Sequence, residues 1–208
     1  VSTAVLLWPF GFQMILGVVY SRLAVFTVER WTTRAELGVF SVAVALHGAL
    51  LLVPASLALL HFPELTRRTH AGDETGVRHI LVRYTIVSAI GVTLGVAMLA
   101  LLMTPVSVLF KVPRSLAPLV VTFAALAFLT IFSTMAGFLM QARGHESMAA
   151  RLSVVTLLLA LVYQAAALTT FGLWGIVAGA AAAELTTIAL FGVALRHLRV
   201  AYPLAERR

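Results

Sequence analysis

The stretch LWGIVAGAAAAELTTIALFGVAL, residues 173–195, decides the fold class of this chain. It runs for 23 residues with a single ionisable side chain, Glu184. A helix of about 20 residues crosses the hydrocarbon core of a bilayer, which is roughly 30 Å thick. Lipid offers no hydrogen bonds to the backbone, so a helix is the form in which such a segment satisfies its own peptide groups. We therefore interpret this stretch as a transmembrane helix.

Similar apolar stretches fill the rest of the chain. The hydrophobic share is 61%, the charged share is 11% and the mean hydropathy is +1.02, whereas an ordinary soluble domain is about 25% charged. The sequence predicts an all-α membrane protein, a single domain over residues 1–208 with about six transmembrane helices in one bundle. The predicted spans are 4–28, 37–62, 82–109, 116–140, 149–171 and 173–195.

Basic residues are concentrated in the connections between these spans, and their distribution predicts the orientation. Ten of them fall on one side of the membrane and four on the other. The richer side holds the connection 63–81 with its flank, the connection 141–148 with its flank, and the tail that starts at Arg196. Because cytoplasmic loops carry the basic excess, both termini are predicted to be cytoplasmic. This topology accounts for the net charge of +7 without a nucleic-acid partner.

Local residues predict how the helices begin, end and pack. Glu36 is expected to begin the second helix, because a carboxylate is favourable at the positive helix end. Phe62-Pro63-Glu64 is expected to end the membrane run, where proline and charge return the chain to water. Pro54 and Pro105 lie inside spans and predict kinks. Small residues four apart predict close contact between helices; they are Gly175, Gly179 and Ala183 in the last span and Gly91 and Gly95 in the third.

Ionisable side chains inside the spans are candidate functional residues, because they are costly to bury in lipid. Arg22 lies inside the first span, and Glu29 shares its helix face seven residues later. A guanidinium binds phosphate through two parallel hydrogen bonds, so Arg22 suits an anionic substrate; the alternatives are that it reaches the nearer interface or pairs with Glu29. Glu184, near the middle of the last span, either couples a proton or cation or hydrogen-bonds a neighbouring helix.

Three further polar residues lie at membrane depth. His47 has a side chain that titrates near neutral pH, although a lone histidine also serves as a hydrogen-bonding contact between helices. Gln13 and Gln164 are uncharged, and they either line a cavity or join helices.

The chain shows no catalytic, cofactor or metal pattern. It contains no cysteine, and no metalloprotease, hydrolase, phosphate-binding or dinucleotide-binding motif. His61, His70 and His79 lack the spacing of a metal site. We therefore predict a protein that is not an enzyme and has no catalytic residues, cofactor or metal.

Three groups of residues carry a family resemblance. They are RAELGVFSVA (34–43) followed by LLVP (51–54) and HFPELTR (61–67), then FLMQARG (138–144) with AARLS (149–153), and finally FGLWGIVAGA (171–180). In this order and spacing they resemble the polysaccharide exporters of the multidrug/oligosaccharidyl-lipid/polysaccharide superfamily, which includes O-antigen flippases.

The resemblance implies alternating access between two lobes of six helices, which would move a polyprenyl-pyrophosphate-linked sugar across the bacterial inner membrane. This chain has the length of one lobe and resembles the carboxy-terminal one. We therefore expect a second lobe in a longer chain or in a partner chain. The family often has an aspartate two residues after the arginine of the first span, where this chain has Ala24.

The same resemblance implies roles for the candidate residues. Arg22 would neutralise the pyrophosphate, while sugar hydroxyls or coupling ions would be contacted by Gln13, His47, Gln164 and Glu184. The alternatives are a drug/cation antiporter of the same superfamily, in which a buried carboxylate matters more than an arginine, a fragment of a polytopic glycosyl- or acyltransferase, or an assembly subunit that only packs against partners.

Overall fold

The structure is a computed structural model that describes Ile15, Val19 and residues 25–201, with side chains up to Leu198. Within these residues the chain is helical between short turns and contains no strand. Residues 25–31 are helical. A 3-10 turn, Arg114–Leu116, lies directly before the helix that begins at Ala117. The α-helices from Arg34 onward are α1 (Arg34–His70), α2 (Glu74–Leu101), α3 (Met103–Leu109), α4 (Ala117–Ala125), α5 (Ala127–Ala142), α6 (Glu146–Phe171) and α7 (Leu173–Ala201).

Five segments of the described chain are long and apolar enough to cross a membrane. They are α1, α2, the segment Arg114–Ala142 that contains α4 and α5, α6, and Leu173–Leu198 of α7. Large apolar side chains cover their outward surfaces, and several are more than half exposed, including Leu59, Leu60, Leu94, Leu101 and Leu158. Such a surface suits lipid rather than water. The prediction of an all-α membrane bundle is confirmed.

The predicted first span, 4–28, lies outside the described residues except for Ile15, Val19 and 25–28. These exceptions are helical. A sixth transmembrane helix therefore stays a prediction.

Helix α1 begins as predicted but ends later. The Thr33 hydroxyl accepts a hydrogen bond from the Glu36 N–H at 3.3 Å, and the Glu36 carboxylate accepts one from the Thr33 N–H at 2.9 Å. This reciprocal pair is a capping box. The predicted span stops at residue 62, whereas α1 continues as a helix to His70. Its 37 residues span about 55 Å, so its last turns project beyond the hydrocarbon, where Glu64 forms helix-stabilising ion pairs with Arg67 and Arg68.

The third predicted span is interrupted at Leu102, between α2 and α3. Pro105 is the third residue of α3. In a continuous helix its ring would clash with the carbonyl of Leu101, and it has no N–H to donate. The first N–H groups of a helix have no partner within it, so proline is tolerated at this position. The kink predicted at Pro105 takes the form of this break, whereas α1 continues through Pro54.

The fourth predicted span is interrupted at Leu126, which the sequence does not predict. The Leu126 carbonyl accepts hydrogen bonds from the N–H groups of Leu129 at 2.9 Å and Thr130 at 3.2 Å, and the Thr130 hydroxyl lies 3.4 Å from it. A carbonyl shared between the N–H groups three and four residues later is common at helix termini, and here it marks the start of α5.

The segment formed by α4 and α5 lies at the centre of the bundle. Helices α1 and α2 pack against it, and α7 packs against it mainly through α5, while α6 packs mainly on α7. The largest buried apolar cluster joins α1, α4 and α7 and includes Phe40, Val120 and Ile176. The central segment therefore connects the α1–α2 pair with the α6–α7 pair.

Glycines bring neighbouring helices into close contact, as predicted. Gly175 lies directly against the backbone carbonyl of Ala167. A Cβ at Gly179 would lie 2.7 Å from Gln164 Cα, closer than atoms can approach. A tight turn separates α6 from α7, between the predicted spans 149–171 and 173–195, and Gly172 there has a φ of 58°, which favours glycine. In the third span, Gly91 and Gly95 face α1 side chains, namely Val53 and Leu50.

Gly179→Ala should destabilise the α6–α7 pair. The added methyl meets the α6 backbone, which cannot rotate away as a side chain can, and overpacking of this kind costs about 1–3 kcal/mol. Gly192→Ala is the matched control, because Gly192 lies on the same helix with nothing within 4 Å of its Cβ position. Thermal unfolding in detergent should show a lower midpoint for the first variant only. Equal midpoints for the two variants would contradict the close contact.

Candidate functional site

Glu184 is the central residue of the candidate site. It lies on α7, and its two carboxylate oxygens accept hydrogen bonds from two α5 hydroxyls. Thr130 Oγ1 lies 3.0 Å from Oε1, and Ser133 Oγ lies 2.7 Å from Oε2. The hydrogen bond to a neighbouring helix, one of the two predictions for Glu184, is therefore present.

The position of the two hydroxyls follows from the local structure of α5. Thr130 and Ser133 are three residues apart and so share a helix face, within two turns of the break at Leu126. Each hydroxyl has one proton, and each also lies near a backbone carbonyl, Leu126 O for Thr130 at 3.4 Å and Thr130 O for Ser133 at 3.1 Å. Both are closer to the carboxylate, so the proton of each points to Glu184.

This arrangement suits a proton or a hard cation. A carboxylate with two hydroxyls offers oxygen ligands of the kind that hard cations prefer. Glu184 forms no ion pair among the described residues. Its side chain is therefore held without an opposite charge, which suits a protonated carboxylic acid. No group of three or more His, Asp or Glu side chains that could hold a metal is found within the described ranges.

His47 lies elsewhere in the bundle. Its ring, on α1, meets the edge of the Phe123 ring on α4, with the ring centroids 5.5 Å apart. Phe123 also packs edge-on against Phe40 of α1, at 5.7 Å. His47 and Glu184 form no hydrogen bond or ion pair with each other, and the structure does not bring these two candidates together.

The remaining candidates are Gln164, Gln13 and Arg22. Gln164 is buried on α6 at the point where Gly179 of α7 packs against its backbone. Gln13 and Arg22 lie outside the described residues, and their roles stay predictions. Glu29, the alternative partner of Arg22, is exposed on the helical stretch 25–31.

Ion pairs join the connections at one end of the bundle. Arg68 donates to Glu64 at 2.6 Å and to Asp73 at 3.0 Å. Arg143, in the turn between α5 and α6, pairs with Glu74 at the start of α2 at 3.2 Å. The α1–α2 turn and the α5–α6 turn therefore lie at the same end, as five consecutive crossings require. The predicted connection 63–81 is helical except for the turn 71–73.

Sequence reasoning missed Thr130 and Ser133. They lie 54 and 51 residues before Glu184, and hydroxyl residues are common in membrane helices, so their spacing alone gave no signal. The i,i+3 pair of hydroxyls in the fourth span becomes informative only once α5 is known to face α7.

Comparison with known proteins adds no relative. No protein-family model, no curated protein and no solved structure matches this chain. Function therefore has to be inferred from the residues of the chain itself.

Ser133→Ala should destabilise the bundle, because it removes the shorter of the two hydrogen bonds to a half-buried carboxylate. Polar contacts between membrane helices are worth about 0.6–2 kcal/mol, and the expected result is a lower unfolding midpoint in detergent. Thr93→Val is the control, since Thr93 is exposed on α2 and its hydroxyl donates only to Ala89 O of its own helix. A Ser133→Ala protein as stable as the Thr93→Val protein would refute a structural role for this contact.

Proposed function

We propose that this chain forms one lobe of an exporter that moves lipid-linked oligosaccharide, a sugar on a polyprenyl pyrophosphate, across the bacterial inner membrane by alternating access. The observation that carries the proposal is the ordered resemblance of three groups of residues to polysaccharide exporters. The proposal includes a multi-pass arrangement with both termini in the cytoplasm, and a second lobe in the same full-length chain or in a partner chain.

Three of the resembling stretches fall at helix ends, while residues 51–54 and 61–67 lie within α1. Residues 34–43 begin α1, residues 138–144 end α5 and form the turn after it, and residues 171–180 contain the turn at Gly172 and the start of α7. Helix ends and tight turns define the order of crossings in a lobe, so agreement there supports a shared topology. The small-residue contact between α6 and α7 also supports a rigid pair of helices that moves as a unit, as rocking of one lobe against another requires.

The transport itself needs no covalent chemistry. A cavity between two lobes shields the charged head of the substrate, while the polyprenyl tail stays in lipid. Arg22 is assigned to the pyrophosphate, since a guanidinium binds phosphate oxygens in a fixed fork geometry. His47, Gln13 and Gln164 are assigned to sugar hydroxyls, and Glu184 to a sugar hydroxyl or a coupling ion.

A drug/cation antiporter of the same superfamily is the second candidate, and the Glu184 contact favours it. A carboxylate held by Thr130 and Ser133 inside the bundle binds a proton or a cation without help from an arginine. In an antiporter of this kind, transport depends on the proton or cation bound by Glu184, and substitution of Arg22 leaves transport intact.

The two candidates make opposite predictions for single substitutions. The product of the complete reading frame that contains this chain is reconstituted in vesicles with a fluorescent short-chain polyprenyl-pyrophosphoryl sugar, and a membrane-impermeant reductant quenches the outer label. Protein-free vesicles lose about half of the signal, and vesicles with a flippase lose nearly all of it. Arg22→Gln should slow the flippase-dependent loss of the second half of the signal at least about tenfold, because removing one partner of a charged hydrogen-bonded pair costs about 2 kcal/mol or more.

Control variants distinguish the flippase from the antiporter. Arg30→Gln, which removes an exposed arginine near the same helix end, should leave the rate unchanged. Glu184→Gln should reduce the rate less than Arg22→Gln does. Transport of an organic cation that depends on Glu184 and not on Arg22 would favour the antiporter. Wild-type vesicles that lose only about half of the signal, as protein-free vesicles do, would refute the flippase.

A further inference from the structure

One face of α2 carries basic side chains that have no partner among the described residues. Arg78, His79 and Arg83 are all exposed. At 100° per residue, Arg78 and Arg83 are about 140° apart around the helix, with His79 between them, and about 7.5 Å apart along its axis. The long arginine side chains can therefore reach toward the same point in front of His79.

These three side chains are not neutralised. Arg78, His79 and Arg83 form no ion pair or hydrogen bond within the part of the chain that the structure describes. Nearby arginines differ, because Arg67, Arg68 and Arg143 pair with the carboxylates of Glu64, Asp73 and Glu74. The acidic groups of the α1–α2 turn are thus already engaged, and none of the described residues supplies an anion to the basic face of α2.

An exposed apolar stripe continues along the same face. The stripe follows the basic residues along α2 toward its carboxyl end, and its side chains are 48–65% exposed. They are Val82, Ile86, Ile90 and Leu94. The stripe extends over about 18 Å of helix, which is the depth of roughly one leaflet, half of a hydrocarbon core of about 30 Å. With the last 20 residues or so of α2 in hydrocarbon, Arg78 and His79 lie at the headgroup level and Arg83 lies close enough to reach it.

We propose that this face of α2 binds an anionic phospholipid of the surrounding bilayer, with its phosphate held by Arg78 and Arg83 in front of His79 and an acyl chain along Val82, Ile86 and Ile90. Arginine holds phosphate oxygens in bidentate geometry, and basic residues near a membrane surface attract anionic lipids. The apolar stripe directly below the cluster favours a lipid over a soluble anion, which would leave the stripe uncovered. A protein helix on this face would instead have to bring its own carboxylates to headgroup depth.

The test compares two double variants that remove the same charge at opposite ends of the bundle. Arg78→Gln/Arg83→Gln removes the cluster, and Lys111→Gln/Arg114→Gln removes two exposed basic side chains from the connection before α4. Each purified protein is titrated with phosphatidylglycerol and, separately, with phosphatidylcholine, and the bound lipid is counted by native mass spectrometry. Thermal unfolding in lipid-free detergent checks that both variants are folded.

The first double variant should bind phosphatidylglycerol about 10- to 30-fold more weakly, because each basic residue near the surface contributes about a factor of five. The control variant should bind it as wild type does, and phosphatidylcholine should be unaffected in both. Arg78→Lys/Arg83→Lys should recover most of the affinity and remains informative if the glutamine variant does not fold.

Three results would overturn the site. The first is unchanged phosphatidylglycerol binding by Arg78→Gln/Arg83→Gln. The second is an equal loss in the two double variants, which would indicate attraction by overall charge rather than by this face. The third is displacement of the lipid by millimolar inorganic phosphate, which would indicate an anion site that does not use the apolar stripe.

Discussion

Hydrocarbon cannot hydrogen-bond to a peptide group, and the form of every described segment follows from that constraint. A chain that is 61% hydrophobic gains nothing from irregular structure at membrane depth, since each unsatisfied backbone group there costs several kcal/mol. The helices are therefore long. The interruption at Leu102 has a local cause in the ring of Pro105, and the one at Leu126 coincides with a carbonyl shared between the N–H groups of Leu129 and Thr130.

Once the helices are formed, packing and polar contacts decide how they associate, because lipid is as apolar as the helix surfaces. Gly175 and Gly179 let α7 lie against the backbone of α6. Glu184 then joins α7 to α5 through Thr130 and Ser133. The same carboxylate thus has a structural role that does not depend on transport, and this is why a functional test of Glu184 needs a stability measurement beside it.

Some features could be predicted from the sequence because their causes are local. The apolar run 173–195, the capping glutamate Glu36 and the turn glycine Gly172 each have a physical signature within a few residues. The end of α1 was missed because Pro63 and Glu64 suggest a stop, whereas a helix does not have to unwind where it leaves the membrane. The partners of Glu184 were missed because they depend on which helices are neighbours. Arg22 and Gln13 lie outside the described residues, so no contact of theirs bears on their predicted roles.

The central claim is that the described helices cross a bilayer as one bundle, with the α1–α2 and α5–α6 turns at the same side. Because the chain has no cysteine, single cysteines at four exposed positions test this directly: Thr75 and Ser147 beside those turns, and Ser115 and Thr170 at the other ends of the helices. A membrane-impermeant maleimide applied to intact bacterial cells should label Ser115→Cys and Thr170→Cys, and should label Thr75→Cys and Ser147→Cys only after the membrane is opened. Labelling of Thr75→Cys and Ser147→Cys from different sides, or of all four positions from one side, would contradict the account.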